Sequence, residues 1–117
     1  MTFFTVIIPF QKESAYLRQT LDHLAEQTLQ SFEVALIPDS TLNPDFRLAY
    51  AFPVEVVVSG PVSPAIKRDL GAEKARGEYL AFIDDDAYPA ADWLENLLPW
   101  SATGRATAGV SWMTGRP

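Results

Sequence analysis

The sequence predicts an open α/β sheet, and three observations point there: apolar β-branched runs alternate with helical patterns, two helix starts are marked by capping residues, and acidic or polar residues follow the runs. In such sheets parallel strands are joined by right-handed crossovers, and ligands bind outside the carboxyl ends of the strands. The 117 residues, 48% of them apolar, suffice for a single domain with a real core.

Each element has a local reason. Phe3 to Pro9 (FFTVIIP) is apolar and β-branched throughout, which suits a strand buried on both faces. Ser14 then caps a helix in which Leu17, Leu21, Leu24 and Thr28 recur at helical spacing, so one stripe faces the sheet. FEVALIPD, Phe32 to Asp39, is the return strand, and VEVVVSG, Val54 to Gly60, is a third. Ser63 at the N-cap and Pro64 at the first helical position open a second helix running to Arg76, with Gly77 placed for a left-handed C-terminal cap. EYLAFID forms a fourth strand, ADWLENLL a short helix stopped by Pro99, and ATAGVSWM a fifth strand.

Charge narrows the function classes. Fifteen acidic residues against nine Lys and Arg give a net charge of −6, which argues against nucleic-acid or anionic-membrane surfaces. The absence of cysteine excludes disulfides and thiolate metal sites, and a cytoplasmic setting is the default. No apolar run approaches the ~20 residues that a bilayer span needs.

The polar residues at strand ends fall into three groups: Pro9 to Glu13, Asp39 with Ser40, and Asp84 to Asp86. By the strand-end rule they converge on one crevice. Three adjacent carboxylates after a greasy strand repel one another and need a cation or strong donors as partners. A run of acids taken alone more often marks a solvated face.

The segments TVIIPFQKESAYLRQTLDHLAEQTLQSFEVALIPDST and PAIKRDLGAEKARGEYLAFIDDDAYPAADWL resemble the nucleotide-binding half of family 2 glycosyltransferases. The likeness covers about Thr5 to Leu94, and its most specific feature is the order of the segments. It implies a Rossmann-like, mostly parallel sheet of GT-A type with helices on both faces, and inverting transfer from a nucleotide-diphosphate sugar such as a UDP-sugar. It also implies a saccharide or lipid-linked acceptor, a role in cell-envelope or polysaccharide synthesis, and a cytoplasmic or membrane-peripheral location.

Site roles follow from the resemblance. Asp84 and Asp86 fit the D-x-D positions, which makes Asp86 the ligand of Mg²⁺ or Mn²⁺ and assigns Asp84 or Asp85 to the ribose or the shared ion. Asp39 matches the carboxylate that accepts the uracil N–H, although a turn acid in PDST is an equal reading of that residue alone. Pro38 replaces the family's first acid there, and the family glycine is absent. Pro9 and Phe10 match the segment whose backbone lies near the base, while Gln11 and Lys12 depart from its usual Tyr-Asn. Glu13 fits an acid common after that motif, and helix N-termini favour acids anyway. Arg68 matches an arginine that reaches the base or diphosphate; a surface ion pair is its alternative.

Lys67 and His23 read as solvated surface residues, and Trp93, Trp100 and Trp112 as packing. An inverting transferase also needs a general base, which in the family lies downstream in the acceptor half. The chain is therefore expected to be a donor-side portion without a catalytic base of its own. A non-catalytic nucleotide-sugar module is the first alternative. A nucleotidyltransferase is less favoured, because PFQKES has no glycine to cradle a triphosphate.

Overall fold

The structure is a computed structural model that describes residues 3–42 and 49–97, together with the backbone of the strand residues 107–108 and 113–114. Its elements are β1 (Phe4–Pro9), α1 (Ala15–Ala25), β2 (Phe32–Ile37), β3 (Val54–Val56), α2 (Pro64–Lys74), β4 (Tyr79–Phe82), β5 (Tyr88–Pro89), α3 (Trp93–Asn96), β6 (Thr107–Ala108) and β7 (Met113–Thr114). Five strands form one sheet in the order β3-β2-β1-β4-β6. Every pairing in that sheet is parallel, with Phe4 opposite Phe32 on one side and Tyr79 on the other. A short antiparallel pair, β5 with β7, stands apart.

Side-chain alternation along β1 separates the two faces. Phe4, Val6 and Ile8 join Leu17, Leu21 and Leu24 of α1 in the larger core, with Trp93 and Leu94 of α3. Ile7 points the other way, to Ala35, Ile37 and Ala72 of α2. The helices therefore cover opposite faces, as the pattern predicts. Each fully buried leucine of the α1 stripe stabilises the fold by roughly 1.5–3 kcal/mol relative to exposure.

Both predicted caps are present: the Ser14 hydroxyl oxygen accepts from Leu17 N–H, and that of Ser63 accepts from Ile66 N–H, each at 3.2 Å. Helix α1 ends at Ala25, earlier than the stripe suggested. Thr28 is exposed, and Gln27 takes the inward place, donating to the Ala90 carbonyl at 2.7 Å and accepting from Leu94 N–H at 3.0 Å. The return strand stops at Ile37, the third strand at Val56 and the fourth at Phe82, each shorter than predicted. The residues beyond them leave the ladder to form loops. Of the predicted fifth strand, Thr107, Ala108 and Met113 are paired; its remaining residues, with Trp100 and Trp112, lie outside the described residues.

Gly77 does not cap α2. The helix ends at Lys74, its cap residue Ala75 is extended, and among the described residues only Gly60 has positive φ, at 79°. That turn lets Gly60 N–H donate to the Asp39 carbonyl at 3.1 Å on the way into α2. The reason for glycine at 77 is close approach: a Cβ there would sit 2.6 Å from both Phe4 C and Thr5 N.

Near Gly77 the sheet carries a buried acid. Glu33 accepts from the Thr5 hydroxyl at 2.7 Å, from Arg76 N–H at 2.7 Å and from Arg76 Nε at 3.0 Å. Burial pushes this carboxyl up, but the Thr5 hydroxyl, the Arg76 N–H and the Arg76 guanidinium together outweigh it and hold it below the usual 4.5. A lowered folded-state value means stability present above the unfolded value and lost as pH falls through the folded one. Glu33→Gln is expected to cost about 1–3 kcal/mol at neutral pH. Thermal melts across pH should show the gap between wild type and Glu33→Gln shrinking below about pH 4.5, and a pH-independent gap would refute the assignment.

Candidate nucleotide-sugar site

The strand order places the polar segments. The chain leaves β1 for β2 and β3 on one side, then returns across the sheet through α2 to β4 on the other side of β1. The sequence direction therefore reverses between β1 and β4, which is the position where open α/β sheets hold ligands. Pro9 and Phe10 leave β1 there, Asp39 leaves β2, and Asp84 to Asp86 leave β4.

Backbone bonds prolong the sheet past its last ladder pairs. Phe10 N–H donates to the Ile37 carbonyl at 3.2 Å, Asp39 N–H to Gln11 O at 3.1 Å, and Ile83 N–H to the Ile7 carbonyl at 3.2 Å. The first residues past these strand ends are thus held by main-chain contacts.

Lys67 corrects the sequence reading. It is 2% exposed, one turn into α2, and its ammonium donates to Phe10 O at 2.9 Å, Ile37 O at 3.3 Å and Asp39 Oδ1 at 2.5 Å. A buried ammonium needs acceptors for its three donors, and here three acceptors from two strand exits meet it. This contact joins two of the sequence-predicted residues, Phe10 and Asp39. Lysines are solvated so often that residue type argues against burial here; the local signal is its place on the inward side of α2, four residues before the buried Gly71.

Thr20 is the second residue that sequence reasoning missed. It is buried in α1, and its hydroxyl lies 2.9 Å from the Asp85 carbonyl and 2.8 Å from the Ala87 carbonyl while accepting from Ala87 N–H at 3.2 Å. The turn carrying the three acids is thereby pinned to the helix that follows β1. Three residues from Leu17 and four from Leu24, Thr20 belongs to the inward stripe, and that spacing was its available signal.

The remaining predicted residues differ in setting. Asp84 is exposed, and Asp85 and Asp86 are half-buried. Glu13 is engaged at the surface by Arg18 at 2.7 Å. Arg68 is half-buried beside Lys67 and makes no hydrogen bond or ion pair with any described residue. His23 is exposed as expected, stacked on Tyr88 with centroids 4.9 Å apart, and Trp93 is buried as packing.

Among the described residues no cluster of three or more His, Cys, Asp or Glu encloses a metal position. The hard carboxylate oxygens at the β4 exit fit a different mode, in which Mg²⁺ or Mn²⁺ is held by one or two carboxylates and completed by substrate phosphates. No helix among the described residues is long and apolar enough to cross a membrane.

Comparison with known proteins agrees with this architecture. The chain is 29% identical over 109 residues to an uncharacterized glycosyltransferase of Haemophilus influenzae, covering 84% of this chain and 42% of that protein. Glycosyltransferase GlyG of Streptococcus pneumoniae is 23% identical over 99 residues, covering 80% of this chain and 33% of its own length. The chain thus spans less than half of each relative. Among solved structures, S. aureus TarS 1–349 superposes with a TM-score of 0.71 at 21% identity, covering 99% of this chain and 38% of TarS 1–349. The same TarS portion solved with UDP-GlcNAc gives 0.66 at 20% identity. The likeness establishes a shared GT-A-type fold. Residues 5–115 match the sequence model of Glycosyl transferase family 2, and the chain belongs to that family.

Proposed function

We propose that this chain is the donor-binding part of a glycosyltransferase that takes a UDP-sugar, with Mg²⁺ or Mn²⁺, for inverting transfer to an acceptor hydroxyl. The observation that carries the reading is the meeting of the β1, β2 and β4 exits at the sheet's reversal point, in a chain of this family. The UDP and UDP-GlcNAc complexes of TarS favour the same donor class.

In this reading Asp39 accepts the imide N–H of uracil, and the Pro9–Phe10 backbone lies along the base. Arg68, uncommitted among the described residues, supplies positive charge to the base or diphosphate side, while Asp84 and Asp85 hold the ribose. Glu13, which follows the Pro9–Phe10 segment and pairs with Arg18, lies on the nucleotide side in this reading. Asp86 is the metal ligand. A bound divalent ion would neutralise charge developing on the departing diphosphate as a Lewis acid. A hexose donor and a saccharide or lipid-linked acceptor in cell-envelope polysaccharide synthesis complete the proposal, with the general base on the acceptor side. A non-catalytic donor-binding module is the second reading, favoured by the altered PDST loop, in which Pro38 stands for an acid.

Calorimetric titration with UDP and Mn²⁺ tests the reading. Saturable UDP binding is expected, with Asp39→Ala weaker by about 1–3 kcal/mol, the range for a hydrogen bond to a charged group. Equal binding of UDP and ADP by wild type would remove the base assignment. Equal UDP affinity in wild type and Asp39→Ala would return Asp39 to a turn residue.

A further inference from the structure

We propose that Lys67 is a positioning residue for base specificity: by occupying Oδ1 of Asp39, it dictates which atom this side chain presents to the nucleobase. The proposal rests on the reading of Asp39 as the base-recognition residue. The ammonium is saturated by Phe10 O, Ile37 O and Asp39 Oδ1, so it has no donor left for a phosphate and acts through its partners. Oδ2 of Asp39 takes no hydrogen bond from any described residue, and the side chain is 29% exposed. An ammonium only donates, so whatever atom faces Lys67 must be an acceptor. With aspartate both oxygens accept, and the open one selects a base edge that offers N–H, as uracil does at N3. Cytosine presents an acceptor at that position and is rejected by acceptor–acceptor repulsion.

The arrangement makes a prediction that simple structural support does not. In Asp39→Asn the amide must turn its oxygen to Lys67, which leaves the NH₂ group facing the base. That variant keeps the Lys67 contact and hence the fold, but it presents a donor where the wild type presents an acceptor. Its preference should pass from uridine to cytidine nucleotides. Without Lys67 the amide is free to rotate and the preference should collapse.

The experiment measures UDP and CDP affinities with Mn²⁺ for wild type, Asp39→Asn, Lys67→Met and Lys67→Met/Asp39→Asn, with thermal melts alongside. Wild type is expected to favour UDP by on the order of tenfold or more, Asp39→Asn to favour CDP by a comparable factor, and the double variant to bind both within about threefold. Asp39→Asn decides the matter even if Lys67→Met fails to fold, because inversion requires an oriented amide. An Asp39→Asn protein that still favours UDP, or one whose UDP-to-CDP ratio is the same with and without Lys67, overturns the role of Lys67. Wild type with no UDP preference instead overturns the base assignment itself, and that arm is read before any variant.

Discussion

Chelation of divalent metal, or Asp86→Ala, is expected to weaken UDP binding by at least about 100-fold, since even residues that only support metal ligands typically contribute 10–100-fold. The acids at the β4 exit stand on a turn whose backbone Thr20 pins to α1, so the segment that carries all three is fixed at the strand end. A diphosphate brings further negative charge to a chain already at −6. Bringing these anions together without a cation is unfavourable at any reasonable local dielectric. Calorimetry with Mn²⁺, with Mg²⁺ and with chelator, on wild type and Asp86→Ala, reads the effect directly. The two losses should not add, because removing the ligand and removing the ion delete the same interaction. Affinity for UDP that is indifferent to chelator would sink the metal assignment while leaving the Asp39 prediction standing.

Gly77→Ala is expected to destabilise the fold by about 3 kcal/mol or more, at the upper end of what overpacking costs. The added Cβ would lie 2.6 Å from two backbone atoms of β1, Phe4 C and Thr5 N, and 2.7 Å from Thr5 Oγ1. Backbone in the middle of a five-stranded sheet cannot yield as a side chain does, and Thr5 Oγ1 is committed to Gly77 N–H and Glu33. Gly71→Ala offers the contrast: its Cβ meets side-chain atoms alone, Ile7 Cγ2 at 2.7 Å, Ile37 Cδ1 at 3.1 Å and Ile7 Cγ1 at 3.3 Å, and side chains shift at less cost than sheet backbone. Urea unfolding of both variants should rank Gly77→Ala as the more severe. Had glycine been there for a left-handed cap, Asn would be tolerated at 77; close approach predicts that Asn is at least as damaging as Ala.

Much of the fold, and the place of the candidate site in it, was legible because those signals are local. Strand runs, helix stripes and the Ser14, Ser63 and Pro64 starts each depend on residues within a few positions, and each of these elements formed where the pattern put it. The strand-end rule then carried Pro9, Phe10, Asp39 and Asp84 to Asp86 to one edge of the sheet from the order of the runs alone. Element ends were less legible. The third strand was read to Gly60 and stops at Val56: Val57 N–H makes a last bond to Leu36 O of β2, and beyond it Ser59 N–H bonds to Pro38 O at the β2 exit, outside the ladder.

What the sequence determined by itself, then, was the order of strands and helices, the faces they bury and the acids that gather at the strand ends, all consequences of short-range periodicity and capping. The tertiary structure alone decided what Lys67, Thr20 and Gly77 are for. Lys67 meets acceptors 57, 30 and 28 positions away, Thr20 meets backbone 65 and 67 positions away, and Gly77 lies against Thr5, 72 positions away. No spacing rule encodes such partners. A lysine is buried only where folding has already assembled acceptors for its charge, and a glycine is needed for close approach only where another strand has come within van der Waals range.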